Sequence, residues 1–152
     1  MTTTNKFIDR ILSPHPSFSG VFNSTTILTA GFKTLPSYMV CNLSPEGSVG
    51  SHWIGLEILQ KDILYFDPLG GICQTPNILK FMVMLGYKTY SYLSFPVQSD
   101  FSNHCGYFVM AFCIARWAGM TSREFTSSLS IQTEKNDDLV RRIVENFRDQ
   151  TV

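Results

Sequence analysis

An excess charge of either sign is missing from this chain. Its 152 residues carry 12 Lys and Arg against 12 Asp and Glu, a formal net charge of zero. No global field then draws it to nucleic acid or to an anionic membrane surface. Arg141, Arg142 and Arg148 come nearest to a basic cluster, but Glu145 and Asp149 are interleaved with them, as on a solvated helix face. No stretch reaches the ~18 uninterrupted apolar residues that a bilayer span requires. The polar start, Met1–Asn5, lacks the apolar core of a signal peptide. Cysteine is sparse: Cys41, Cys73, Cys105 and Cys113 form no CxxC pair, which argues against a disulfide framework and against zinc. They read as free thiols in a reducing intracellular compartment. Internal repeats, low-complexity tracts and linkers are absent too, so residues 1–152 are expected to form a single domain.

What is present is a core. Apolar residues make up 44% of the chain, with 12 Phe, 6 Tyr and 2 Trp, enough to fold without staples. A short amphipathic helix is expected over Asn5–Leu12, stopped by Pro14-His15-Pro16. Phe18–Pro36 reads as irregular with at most a short strand, and Tyr38–Leu43 as a buried strand between two prolines. Ser44–Ser51 is a Gly-bearing loop. His52–Leu59 and Ile63–Phe66 form a β-hairpin around Gln60-Lys61-Asp62. Thr75–Leu85 has helical spacing with Pro76 in its first turn; Tyr87–Leu93 has the aromatic content of a strand. Gly106–Trp117 is apolar on nearly every side and should lie in the middle of the fold. Ser122–Leu129 and Glu134–Phe147 read as outer helices, the last with Leu139, Ile143 and Phe147 inward. The expected class is α+β, a small mixed sheet packed with helices around that central helix, one layer on another.

The chemistry-bearing residues fall at the ends of these elements. Cys105 precedes the central helix, where the positive end of the helix dipole favours negative charge on sulfur; the plain alternative is a small core residue. Cys113, inside the helix, and Cys41, in a strand, read as packing. Cys73, in a Gly-Gly-Ile-Cys loop, reads as an exposed thiol with no base beside it. His52 opens a strand after a Gly-Ser loop, free to accept a proton. Asp67 closes the partner strand of the hairpin, so its carboxylate can reach the imidazole, fix its tautomer and stabilise its charged form. His104 is adjacent to Cys105, but neighbours across a turn seldom aim at one another, so it reads as tuning the site rather than as its base. Gln98, in the loop before Cys105, can donate its side-chain amide to an oxyanion together with the Cys105 N–H. Trp53 can stack on His52 and wall a narrow groove.

With His52-Trp53, Asp67-Pro68-Leu69-Gly70, Gln98 and Cys105-Gly106 in this order, the chain resembles the cysteine proteases of the adenovirus-protease (adenain) and SUMO-protease clan. The interval of seven from Gln98 to Cys105, the spacing from Asn42 to His52-Trp53, and Phe18-Ser19-Gly20-Val21-Phe22 resemble the adenoviral branch. Asp67 is as in SUMO proteases, where adenain has Glu. No Cys lies between Cys73 and Cys105, so the thiol-linked activating peptide of adenain is not carried over.

The resemblance implies a cysteine endopeptidase with Cys105 as nucleophile, His52 as base, Asp67 orienting it, and Gln98 in the oxyanion hole. Trp53 and Gly106 would border the substrate groove. It implies cleavage at Gly-containing sites in viral or virus-like-element capsid or core precursors, during particle maturation. The chain is expected to act as a monomer in the nucleus or cytoplasm of an infected cell, with packaging in the virion a further option. It would need no metal or cofactor; a peptide or DNA activator follows from the resemblance alone. Two other readings stand beside this one: an isopeptidase acting on ubiquitin or SUMO conjugates, and a silent peptide-binding module of the same fold.

Overall fold

The computed structural model describes residues 4–44, 52–99 and 102–151. The loop expected over Ser44–Ser51 falls, apart from Ser44, outside them. Helix α1 spans Asn5–Leu12; the Thr4 hydroxyl accepts from the Phe7 N–H at 3.2 Å, and Ile8, Ile11 and Leu12 form its buried stripe. Strand β1 (Phe18–Asn23) is the short strand that the otherwise irregular stretch allowed, with a register shift between Phe18 and Gly20. A short 3-10 turn at Thr26–Thr29 follows, then β2 (Ser37–Asn42). Strands β3 (Trp53–Ile58) and β4 (Ile63–Phe66) form the expected hairpin, with Ile58 opposite Ile63. Helix α2 is Pro76–Met84, with its proline in the first turn.

Strand β5 shrinks to Ser91–Tyr92, much less than the aromatic run suggested. Helix α3 spans Cys105–Trp117, α4 Ser122–Ser128 and α5 Asn136–Gln150. Thr121 and Glu124 cap α4 reciprocally, each side chain taking the other residue's backbone N–H at 3.0 Å.

The sheet runs β1-β2-β3-β4-β5 in space, parallel at both ends and antiparallel in the middle. It is covered on both faces rather than on one as expected. Along β2, Tyr38 and Val40 belong to the core on the α3 side, while Met39 and Cys41 belong to a second core against α2 and the Thr26–Thr29 turn. Trp53 and Phe66 face α3; Ile54, Leu56 and Tyr65 face α2. This alternation explains why β2 and β3 are buried along their whole length.

Helix α3 is the axis of the larger core, with Cys105 to Ala115 all buried. It approaches β3 closely at Gly55, where a Cβ would lie 3.1 Å from Val109 Cγ1. Its far end is anchored by Arg116, whose Nε lies 2.5 Å from the buried Glu57 carboxylate on β3; Tyr38 donates to the same oxygen at 2.6 Å. The buried pair is stabilising only because the hydroxyl and the Met120 carbonyl complete its hydrogen bonding. Helix α5 turns Val140 and Val144 fully inward, with Leu139, Ile143 and Phe147 on the flanks. The inward stripe is therefore rotated about one residue from the expected one.

Candidate active site

Three elements deliver the site. The His52 carbonyl accepts the Leu43 N–H at 2.9 Å, which fixes the start of β3 against the end of β2. The imidazole Nε2 then lies 2.7 Å from Asp67 Oδ1, just past the end of β4. Asp67 is held as well: its Oδ1 also accepts the Leu69 N–H at 2.9 Å, and its carbonyl accepts from Gly70 at 2.8 Å. The same imidazole interacts with the thiol of Cys105, the first residue of α3. With Nε2 engaged by the carboxylate, Nδ1 is the ring nitrogen left for the thiol.

Burial by itself would lower the basicity of His52. The hydrogen bonds to Asp67 and Cys105, and the negative charge those groups can carry, outweigh it and raise its pKa to about 9. A ring of that basicity keeps at neutral pH a proton that it accepts. Cys105 is only 5% exposed, at a helix N-terminus whose first turn has no acidic residue to oppose negative charge. Its backbone N–H belongs to that first turn, at the positive end of the helix dipole.

Gln98 arrives through the turn that carries Asp67. The Pro68 carbonyl accepts from both Val97 N at 2.9 Å and Gln98 N at 3.1 Å, and Gly71 N donates to Leu93 O at 2.8 Å. Gly70 is needed here: its φ is +79°, and a Cβ would sit 2.7 Å from the Phe95 carbonyl carbon. The Gln98 side chain is 3% exposed; its Nε2 donates to Ser102 O at 3.0 Å, and its Oε1 finds no partner among the described residues.

Several expectations change. Trp53 does not wall a groove: it is 2% exposed within the α3-side core and, among the described residues, makes no ring contact with His52. Strand alternation turns it to the opposite side from its neighbour. Gly106 is likewise buried, in the second position of α3. Cys73 is not an exposed thiol but 3% exposed, its N–H donating to the Tyr90 hydroxyl at 3.2 Å. Burial pushes the Cys41 thiol up to about 12 and raises Cys73 and Cys113 also, which disfavours thiolate at all three. His104 caps α3 directly before Cys105, and its Nδ1 lies 3.4 Å from Asp137 Oδ2.

Sequence reasoning missed Ser102, Asn136 and Asp137, which brace the segment before Cys105. The only local signal for them was an Asn-Asp-Asp run opening a helix. Among the described residues no group of three or more His, Cys, Asp or Glu side chains is arranged to hold a metal ion.

A buried helix with a cysteine at its start is laid on a five-stranded mixed sheet, and the β3–β4 hairpin brings a histidine and a carboxylate to that cysteine: the fold is α+β. No protein-family model matches the sequence, nor does any curated protein match it significantly. Among solved structures the chain is similar to a crystal structure of the selenomethionine form of the ASFV pS273R protease. The TM-score is 0.54 and the identity 16%, with 97% of this chain and 66% of that one covered. The chain therefore spans just under two thirds of that protein's length. At this identity the likeness is one of fold. No helix among the described residues is long and apolar enough to cross a membrane.

Proposed function

We propose that the protein is a cysteine endopeptidase. The observation that carries this reading is a single imidazole that lies 2.7 Å from the Asp67 carboxylate and interacts with the Cys105 thiol. Cys105 gives its proton to His52 and attacks the scissile carbonyl carbon. The resulting oxyanion takes hydrogen bonds from the Cys105 N–H and the Gln98 amide. His52 returns the proton to the leaving amine, and a thioester to Cys105 remains. Water, deprotonated by His52, then releases the acid product.

The fold shared with a viral cysteine protease supports polypeptide substrates of viral origin. Cleavage of capsid or core precursors at Gly-containing sites extends that by the resemblance to adenain. An isopeptidase for ubiquitin-like conjugates is the competing use of the same tetrad, favoured by the identity of its carboxylate as Asp67.

Fluorogenic peptides with Gly at the cut, together with ubiquitin and SUMO vinyl-sulfone probes, test the reading. Peptide turnover abolished by Cys105→Ala supports the endopeptidase. Probe labelling of Cys105 without peptide turnover supports the isopeptidase. Neither turnover nor labelling would leave a silent binding module.

A further inference from the structure

The start of α5 grips the segment that carries the oxyanion donor at both of its ends. Asn136, 1% exposed, donates through Nδ2 to Val97 O and to Ser130 O, each at 2.8 Å, and accepts the Ser130 N–H at 2.7 Å. Every hydrogen-bonding position it uses is therefore spent on backbone, and one of those bonds is to the residue just before Gln98. The next residue, Asp137, accepts from Ser102 Oγ through Oδ1 at 2.9 Å, while its Oδ2 faces His104 Nδ1 at 3.4 Å. Ser102 Oγ in turn accepts the His104 N–H at 3.1 Å, and Ser102 O receives the Gln98 amide at 3.0 Å.

These bonds make one connected frame. Asn136 fixes the backbone entering Gln98. Asp137 fixes Ser102, whose carbonyl aims the Gln98 amide and whose hydroxyl ties down the residue before the nucleophile. None of these bonds involves the His52 imidazole or the Asp67 carboxylate.

We propose that Asn136 and Asp137 are positioning residues for the oxyanion hole, Asn136 acting on Gln98 through the Val97 backbone and Asp137 through Ser102. The inference rests on the endopeptidase reading. Its signature differs from that of a merely structural role. Alkylation of a thiolate by iodoacetamide is a displacement at a saturated carbon and forms no oxyanion, whereas peptide hydrolysis passes through one. Disturbing the frame should slow hydrolysis and leave alkylation of Cys105 intact.

The test compares wild type with Ser102→Ala, Asp137→Ala, Asp137→Asn and Asn136→Ala, measuring kcat and KM on a Gly-containing peptide and the iodoacetamide rate at Cys105. Asp137→Ala and Ser102→Ala should lower kcat about tenfold or more, with KM and the alkylation rate near wild type; loss of one oxyanion donor outright costs about 100- to 1000-fold. Asp137→Asn, which keeps an oxygen to accept from Ser102, should regain most of the turnover. Asn136→Ala removes bonds to two carbonyls and one N–H and can unfold the chain, so the two milder variants, Asp137→Ala and Ser102→Ala, decide the matter. Unchanged kcat in both of them, or equal losses of kcat and alkylation, would overturn the positioning role. Absence of peptide turnover in wild type would instead overturn the endopeptidase reading and the inference with it.

Discussion

Asp67 contacts His52 diagonally, not directly across the hairpin. Gly55 pairs with Phe66, so continuing the register one step places Asp67 opposite Ile54. His52 lies just before the first residue of β3, two positions from Ile54, and the 2.7 Å contact spans that diagonal. The Asx turn at Asp67–Leu69 and the Pro68 carbonyl hold the carboxylate there after regular pairing has ended.

Replacing Asp67 by Asn should therefore keep the turn's acceptor while removing the charge that supports the imidazolium. The His52 pKa is expected to drop from about 9 toward its ordinary value. Peptide turnover at neutral pH should fall at least about tenfold, from loss of the correct tautomer and of charge stabilisation. Turnover and the pH profile of Cys105 alkylation check it; a profile identical to wild type contradicts the assigned role.

The same raised pKa links stability to pH. His52 binds its proton more tightly when folded than in the unfolded chain, where its value is 6.5. The stabilisation is fully present below about pH 6.5 and is lost as pH rises through about 9. Between about pH 6.5 and 8.5, unfolding free energy should fall by up to about 1.4 kcal/mol per pH unit from this group. Urea denaturation across that window should show the slope in Cys105→Ala, where no thiolate offsets the proton on the imidazole, and a flatter one when His52→Gln is added. Equal slopes would mean the imidazole is not held in its charged form.

Gly70→Ala combines a left-handed backbone with a Cβ 2.7 Å from the Phe95 backbone. The conformational cost alone is about 1–2 kcal/mol, and the contact adds to it. Because this turn also carries Val97 and Gln98, turnover should decline with melting temperature. A variant as stable and active as wild type would show that the two segments separate easily.

Arg116→Met leaves the Glu57 carboxylate, 3% exposed, without its cation. Removing one partner of a buried pair costs about 3 kcal/mol or more, and the double change Glu57→Gln with Arg116→Met should recover much of it. Denaturation midpoints of the two variants decide between an interaction that matters and one that does not.

How far the sequence was readable depends on the range of the signal. Periodicity located α1, α2 and α3 closely, because each buries a stripe or a whole circumference of its own residues. The hairpin and Cys105 at a helix start followed from turn residues and a sharp change in apolar content. Trp53 was misread because a single aromatic beside a candidate base looks the same whether it faces a groove or the core; only the strand's alternation against α3 decides. The second core was missed since an unbroken apolar run such as Tyr38–Cys41 in β2 does not reveal whether one or both faces are covered. Asn136 and Asp137 act on residues 39 and 35 positions away, and no local pattern encodes contacts of that range.

Every step of the proposed chemistry depends on a Cys105 thiol activated by His52. Iodoacetamide at about pH 6 probes that activation without any substrate, because an ordinary thiol is then almost wholly protonated; peptide mass spectrometry locates the label. Rapid modification of Cys105 alone is expected, lost in His52→Ala, while Cys41, Cys73 and Cys113 remain unmodified in the folded protein. Cys105 reacting no faster than Cys73, or equally fast without His52, would contradict the activated pair.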